Sequence, residues 1–225
     1  SSSIPWASTL PIRIQARPIA GLDPTRPFIL TVAVIENRKN LIPLARALSG
    51  STHLDWLVLG KIGFGGESML PEIKQYFPHV IHRSEVTEAQ LAWAYQSAAA
   101  LVLPTLEEGF GLPVLEAAQF GTPLVLSRIP AFTDIIGNTD TALFFDSENG
   151  LREILHHLRG SPDDWRLPAS RALAANYSWE QTGERFTALE LGDVMNTILL
   201  GAPAAIVALK ASGLPTRPVL VAVTV

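Results

Sequence analysis

Short apolar runs rich in leucine and β-branched residues recur along the middle of the chain: Phe28 to Val34, Leu54 to Leu59, Val80 to His82, Leu101 to Leu103, Pro123 to Leu126 and Leu143 to Phe145. Each is followed by a segment of helix length in which apolar and polar positions mix. Runs such as Leu101-Val-Leu103 and Pro123-Leu-Val-Leu126 are apolar at consecutive positions. Both faces of such a strand must be covered, which is the condition of a parallel sheet between two layers of helices. The pattern predicts an α/β fold with a doubly wound parallel sheet. Helix starts are legible too, because Thr87 with Gln90 and Ser178 with Gln181 have capping-box spacing. Asn40 predicts an N-cap for the segment reaching Leu48, with Pro43 inside the first turn, where a missing N–H is tolerated. Trp56 and Trp93 fall inside these elements and read as core rather than as sugar-stacking platforms.

The two ends depart from this rhythm. Residues 1–25 hold one alternating stretch, Ile12 to Ala16, among Pro, Gly and Ser, and read as a linker or leading strand. Residues 26–190 carry the strand and helix pattern, and residues 191–225, charged only at Asp193, Lys210 and Arg217, form an apolar, proline-interrupted tail without an assigned role. Of the 225 residues 48% are hydrophobic and 17% charged, which is the opposite of a disordered composition. A formal charge of -4 excludes the dense basic field that nucleic-acid backbones require, so any anion must be held locally. The absence of Cys removes disulfides, thiolate zinc sites and Cys nucleophiles, and makes a cytoplasmic location the default. No basic, apolar leader precedes Pro11, and the longest apolar stretch, Ile198 to Leu209, falls short of the roughly 18 residues of a membrane span. Neither a signal peptide nor a span is expected, and peripheral membrane association stays open. His53, His79, His82 and the adjacent pair His156-His157 have no metal-ligand spacing, so no metal and no cofactor is expected. Asn176-Tyr-Ser178 spells a glycosylation sequon that carries no meaning without secretion.

In a parallel α/β sheet, ligands bind beyond the carboxyl ends of the strands, so the loops after each run are where chemistry is sought. The loop after the fourth run reads Pro104-Thr-Leu-Glu-Glu-Gly-Phe-Gly-Leu-Pro-Val-Leu-Glu116. Two glycines flank Phe110 and Pro113 stands at a helix start, so Gly109, Phe110, Gly111 and Leu112 make a tight turn that offers backbone N–H groups and a helix dipole to an anion. Glu108 precedes the turn, and Glu116 is expected in the first helical turn, leaning back toward it. A carboxylate repels phosphate, so each is expected to accept hydrogen bonds from hydroxyls at the two ends of a longer molecule. The bland alternative is a pair of solvated carboxylates at a helix start. Arg38 and Lys39, in the loop after the first run, can neutralise a diphosphate, with Lys39 preferred because only one of two adjacent cations need face the cleft. The loop Gly60-Lys-Ile-Gly-Phe-Gly-Gly66, four glycines in seven residues, either approaches a ligand closely, with Lys61 beside it, or is merely flexible.

The strings VAVIENRKNL, LVLGKIGFGGE and PTLEEGFGLPVLEAAQFGTPLVLS resemble the donor-binding, C-terminal half of retaining glycosyltransferases of family 4, which have the GT-B fold. The likeness runs from about Phe28 to about Glu190, with Ser178-Trp-Glu similar to the family's final helix start. Glu108 and Glu116 reproduce the family's E-x7-E spacing within GFGLPVLEA. The resemblance implies a nucleotide diphosphate sugar as donor substrate. It implies that Lys39 and Arg38 contact the diphosphate, that Glu108 and the amides of Gly109, Phe110 and Gly111 meet the sugar, and that Glu116 holds the ribose hydroxyls. Arg83 to Val86 matches the stretch that frames the nucleobase, and ENRKN favours GDP-mannose. The chain departs from the family at Ala99, where Asp is usual, and at Thr133-Asp134, where Pro-Glu is usual. The resemblance also implies an N-terminal, acceptor-binding domain as partner, which nothing in this sequence supplies. Transfer of a hexose with retention is therefore the leading reading, and a non-catalytic module binding a nucleotide-sugar or a partner chain is the alternative. A dinucleotide-dependent oxidoreductase ranks below both, since no G-x-G-x-x-G follows the first strand.

Overall fold

The computed structural model describes residues 14–23, 26–137, 140–157 and 173, together with the strands 206–209 and 219–222. The chain divides into two compact units, Trp6–Ser178 and, separately, Ser1–Pro5 with Trp179–Val225. In the first unit, strands β1 (Phe28–Val32), β2 (Asp55–Leu59), β3 (Val80–Arg83), β4 (Ala100–Leu103), β5 (Leu124–Ser127) and β6 (Leu143–Phe145) alternate with helices. The helices are α1 (Leu41–Ala47), α2 (Met69–Tyr76), α3 (Glu88–Ser97), α4 (Leu112–Phe120), α5 (Pro130–Ile136) and α6 (Glu148–His157). The sheet order is β3-β2-β1-β4-β5-β6 and every pairing is parallel. The doubly wound α/β class predicted from the apolar runs is the architecture found.

Alternation along each central strand divides the interior in two. Leu30, Leu57, Leu59, Leu101, Leu103, Leu124 and Leu126 face one core, shared with Tyr95 of α3, Val114 and Leu115 of α4, and Phe132 of α5. Ile29, Trp56, Val58, Ala100, Val102 and Val125 face the other, shared with Leu41 and Leu44 of α1, Ile73 of α2 and Leu151 of α6. Consecutive apolar residues are thus buried on opposite faces, as a sheet covered on both sides demands. Trp56 is buried and Trp93 stacks on Phe28 at 5.6 Å between ring centroids, so both are packing residues. Two polar groups inside the sheet are matched: Thr31 Oγ1 accepts from Trp56 Nε1 at 3.0 Å and donates to the Val102 carbonyl at 2.9 Å.

Several local expectations are refined. Thr87 and Gln90 form the predicted capping box at α3. Asn40 stands at the N-cap of α1 without a side-chain hydrogen bond; its φ of 54° turns the chain out of a 3-10 turn over Asn37–Lys39. Asn is among the residues that tolerate this left-handed geometry, so its role here is conformational. Strand β1 stops two residues before Val34, yet the chain stays tied to the β2 extension through Ala33 N–H to Leu59 O at 2.9 Å and Ile35 N–H to Lys61 O at 2.8 Å. Helix α4 begins at Leu112, with left-handed Gly111 as N-cap, so Leu112 belongs to the helix and Glu116 is its fifth residue rather than part of its first turn.

The described part of the leading segment, residues 14–23, contains no strand; it lies against α3 through Arg17 N–H to Ala89 O at 3.0 Å, and Ile19 is buried. In the second unit, β7 (Ile206–Leu209) pairs antiparallel with β8 (Val219–Ala222). The capping box at Ser178 and Gln181, the sequon at Asn176 and the remainder of the apolar tail lie outside the described residues. Among the described residues no helix is long and apolar enough to cross a membrane.

Candidate functional site

The strand order reverses between β1 and β4, which are neighbours in the sheet although two βα units separate them in sequence. The chain leaves these two strands in opposite directions, and the loops beyond their carboxyl ends flank a crevice. Lys39 comes from the first loop and Glu108 from the second. Lys39 Nζ lies 2.5 Å from Glu108 Oε2, with only 10% and 18% of the two side chains exposed. The remaining contacts between the loops fix this meeting. Leu106 N–H donates to Arg38 O at 2.9 Å, and Thr105 Oγ1 lies 3.1 Å from Arg38 O and 2.8 Å from Glu107 O. Arg38 is exposed, donating through NH1 to Glu107 O at 2.8 Å and through NH2 to Glu36 Oε1 at 2.6 Å. Its guanidinium braces the two loops, whereas Lys39 is the cation turned toward the acidic partner.

Past Glu108 the backbone passes through Gly109 and Gly111 into α4. A Cβ on Gly109 would meet nothing within 4 Å, so the space beside this residue is open. At Gly111 the φ of 78° and a Cβ position 2.9 Å from Phe132 Cε1 make glycine obligatory for the fold itself. Among the described residues no carbonyl accepts from the amides of Gly109 and Gly111. Phe110 packs as a partly buried residue against the core beneath the turn, and the Leu112 side chain is exposed at the helix start.

Glu116, farther along α4, meets Tyr95 of α3, whose hydroxyl donates to Glu116 Oε2 at 2.7 Å. Burial raises the Glu116 carboxyl above the usual carboxylate range, and the donated hydrogen bond works against that rise. Tyr95 is fully buried; burial, then the Glu116 charge beside it, push its phenol well above the usual range. On the same face of α3, Leu91 lines a cavity of about 410 Å3 with Val32, Leu59, Gly60, Lys61, Ser84, Glu85 and Val86. Its walls are the apolar ends of β1 and β2 and the start of α3. Its charged residues are the exposed Lys61 and Glu85, whose Nζ and Oε1 are 3.9 Å apart.

Val86 therefore lines this cavity. Arg83 is placed differently: its NH2 donates to Ala20 O at 2.8 Å and its NH1 to His82 O at 2.9 Å, so the guanidinium holds the Ala20–Gly21 turn. The glycine loop after β2 approaches the chain itself. A Cβ on Gly60 would lie 2.0 Å from Ala33 O, on Gly66 2.1 Å from Ile35 O, and on Gly63 2.6 Å from Val34 Cγ1. Close backbone approach is real there, but its object is the loop after β1. His82 Nε2 lies 2.8 Å from Gly60 O, in the same set of contacts. Among the described residues no cluster of three or more His, Asp or Glu could hold a metal ion. Tyr95 and Thr105 went unnoticed in the sequence, since partners 21 and 67 residues away leave no local pattern.

The family profile described as glycosyl transferases group 1 matches residues 13–157. The chain belongs to this family. It is 35% identical over 99 residues to the O-antigen chain mannosyltransferase B of Escherichia coli, a stretch covering 42% of this chain and 26% of that protein. It is 34% identical over 107 residues to the phosphatidyl-myo-inositol mannosyltransferase of Propionibacterium freudenreichii, covering 45% of this chain and 28% of that one. Among solved structures, the sucrose-phosphate synthase of Thermosynechococcus elongatus superimposes with a TM-score of 0.68 at 21% identity, over 88% of this chain and 52% of that one. TarM superimposes with a TM-score of 0.62 at 16% identity, over 84% and 37%. These structures share the fold. The matched stretch thus spans about a quarter of the curated relatives, and the superimposed part spans 52% and 37% of the two solved chains.

Proposed function

We propose that this chain is the donor-binding, C-terminal half of a retaining hexosyltransferase of family 4, taking a hexose from a nucleotide diphosphate sugar, with GDP-mannose the favoured donor. The observation that carries the proposal is the meeting of Lys39 and Glu108 across the β1/β4 crevice, at the mouth of the Gly109–Gly111 turn. A shielded cation, a carboxylate and a turn with open space beside it are the groups that a charged, hydroxyl-rich donor requires. In this reading the ammonium of Lys39 and the turn amides receive the diphosphate. When the sugar's bond to the diphosphate breaks, both electrons leave with the phosphate oxygen, and preorganised donors in a sheltered crevice stabilise that charge. Glu108 accepts from sugar hydroxyls and orients the ring, a positioning task. Glu116 accepts from the ribose, and the cavity containing Val86 takes the base. Arg38 supports Lys39 by bracing its loop, and Arg83 supports the cavity through the segment it holds. Lys61, exposed beside Glu85, stands at the outer edge of the base subsite. The mannosyltransferases among the relatives support mannose as the sugar, and the short matched stretch supports an N-terminal acceptor-binding domain as partner.

The test is transfer by the full-length protein against GDP-mannose, UDP-glucose and ADP-glucose. The expected result is release of one nucleoside diphosphate with a product of unchanged anomeric configuration. Glu108→Ala should depress kcat more than nucleotide affinity, and Glu116→Ala should weaken affinity; the opposite pattern would mean that the two acids have exchanged roles. The short coverage also favours a second reading, a module that binds a nucleotide-sugar without turning it over. Binding with no transfer by the full-length protein would establish that reading instead.

A further inference from the structure

Of the two acids assigned to the donor, Glu116 is the one with a side-chain partner buried deep in the fold. Tyr95 is fully buried, its ring stacked on Phe120 at 5.9 Å between centroids and an interplanar angle of 9°. A buried phenol without an acceptor is costly, and Tyr95 spends its single proton on Glu116 Oε2 at 2.7 Å. Full burial and the stack on Phe120 of α4 hold the ring in place. Thr122 Oγ1 fixes the backbone beneath it by donating to Tyr95 O at 2.6 Å. A carboxylate is planar, so holding one oxygen sets the direction of the other. Tyr95 also lies one helical turn after Leu91, which lines the cavity, so the pair and the cavity occupy the same side of the sheet.

We propose that Tyr95 is a positioning residue for nucleotide binding: its hydroxyl clamps one oxygen of Glu116 and aims the other at the ribose diol. The inference rests on the reading of Glu116 as the ribose-binding acid. The clamp has two consequences for binding. It removes the rotamer search that a free glutamate would undergo as the nucleotide arrives. It also opposes the effect of burial on the carboxyl, favouring the charged acceptor.

The test uses the whole chain, with GDP and 2′,3′-dideoxy-GDP as probes, because the dideoxy compound lacks the hydroxyls that Glu116 would accept from. Tyr95→Phe keeps the ring and its stack on Phe120 and deletes only the donor. GDP affinity should fall roughly three- to tenfold, the scale of immobilising one flexible side chain on binding, while dideoxy-GDP affinity stays within about twofold. Equal losses for both probes, or no loss for either, would overturn the proposal. If Tyr95→Phe does not fold, the unaltered chain decides the matter through the Tyr95 hydroxyl proton seen by NMR. That resonance should shift with GDP and not with dideoxy-GDP, and a common response to both would overturn the proposal. Should the unaltered chain bind none of GDP, UDP and ADP, the donor-binding reading itself falls and takes this inference with it. Nucleotide binding with equal losses would sink the role of Tyr95 alone.

Discussion

Burial raises the carboxyl of Glu116, so the folded chain holds that proton more tightly than the unfolded chain does. Between the ordinary carboxylate value of about 4.3 and the raised folded value, the native state carries more bound proton. Stability therefore falls as pH rises through that window. Glu116→Gln keeps an acceptor for Tyr95 and removes the charge. At neutral pH its melting temperature should exceed that of the unaltered chain, and the gap should close on acidification below about pH 4; a gap that persists there would contradict the assignment. Nucleotide binding by the ionised acid should run the other way, weakening on acidification at a higher pH than an ordinary carboxylate would give. Lys39 and Glu108 form a largely buried ion pair, and deleting either leaves a poorly solvated charge. Lys39→Ala should cost about 1–3 kcal/mol in chemical denaturation, against less than about 0.5 kcal/mol for Lys61→Ala on the exposed surface. At this scale the sequence showed which residue types carry charge near the crevice. It could not show that Arg38 braces Lys39's loop or that Arg83 turns to Ala20, because those choices depend on carbonyls that only the folded chain brings near.

The elements translate those residues into a crevice, and their glycines separate two kinds of demand. Gly60, Gly66 and Gly111 are required by the protein's own packing, against Ala33 O, Ile35 O and the Phe132 ring. Gly109 has open space where a side chain would go. Gly66→Ala should therefore destabilise by about 1–3 kcal/mol, the range for overpacking. Gly109→Ala should leave the denaturation midpoint nearly unchanged while weakening nucleotide-sugar affinity. A Gly109→Ala variant that binds normally would mean that the open space is not used. The four central strands, β2, β1, β4 and β5, were legible because a strand buried on both faces must be apolar at consecutive positions, as in Leu101 to Leu103. The start of α4 was displaced by one residue because Pro113 is accommodated at its second position, behind a left-handed Gly111 that sequence alone did not identify as the N-cap. Asn40 illustrates the same limit: its residue type fits both a cap and a left-handed turn, and only the backbone chooses.

For the whole molecule, the order β3-β2-β1-β4-β5-β6 is what makes distant residues neighbours. Lys39 and Glu108, 69 positions apart, meet because β1 and β4 pair at the reversal of strand order. The motif at residues 104–116 was readable in isolation, but its partnership with residues 35–40 is a property of topology. The chain spans about a quarter of the length of the curated relatives it matches, and it is proposed to be a donor-binding part whose catalytic completion lies in a partner domain. The most direct test of that account is calorimetric titration of GDP, UDP and ADP into the unaltered chain and into its Glu116→Ala and Lys39→Ala variants. The account predicts one nucleoside diphosphate bound per chain, with affinity lowered at least about tenfold by either substitution, a difference of about 1.4 kcal/mol. Absence of binding to the unaltered chain, or equal affinity in all three proteins, would contradict it.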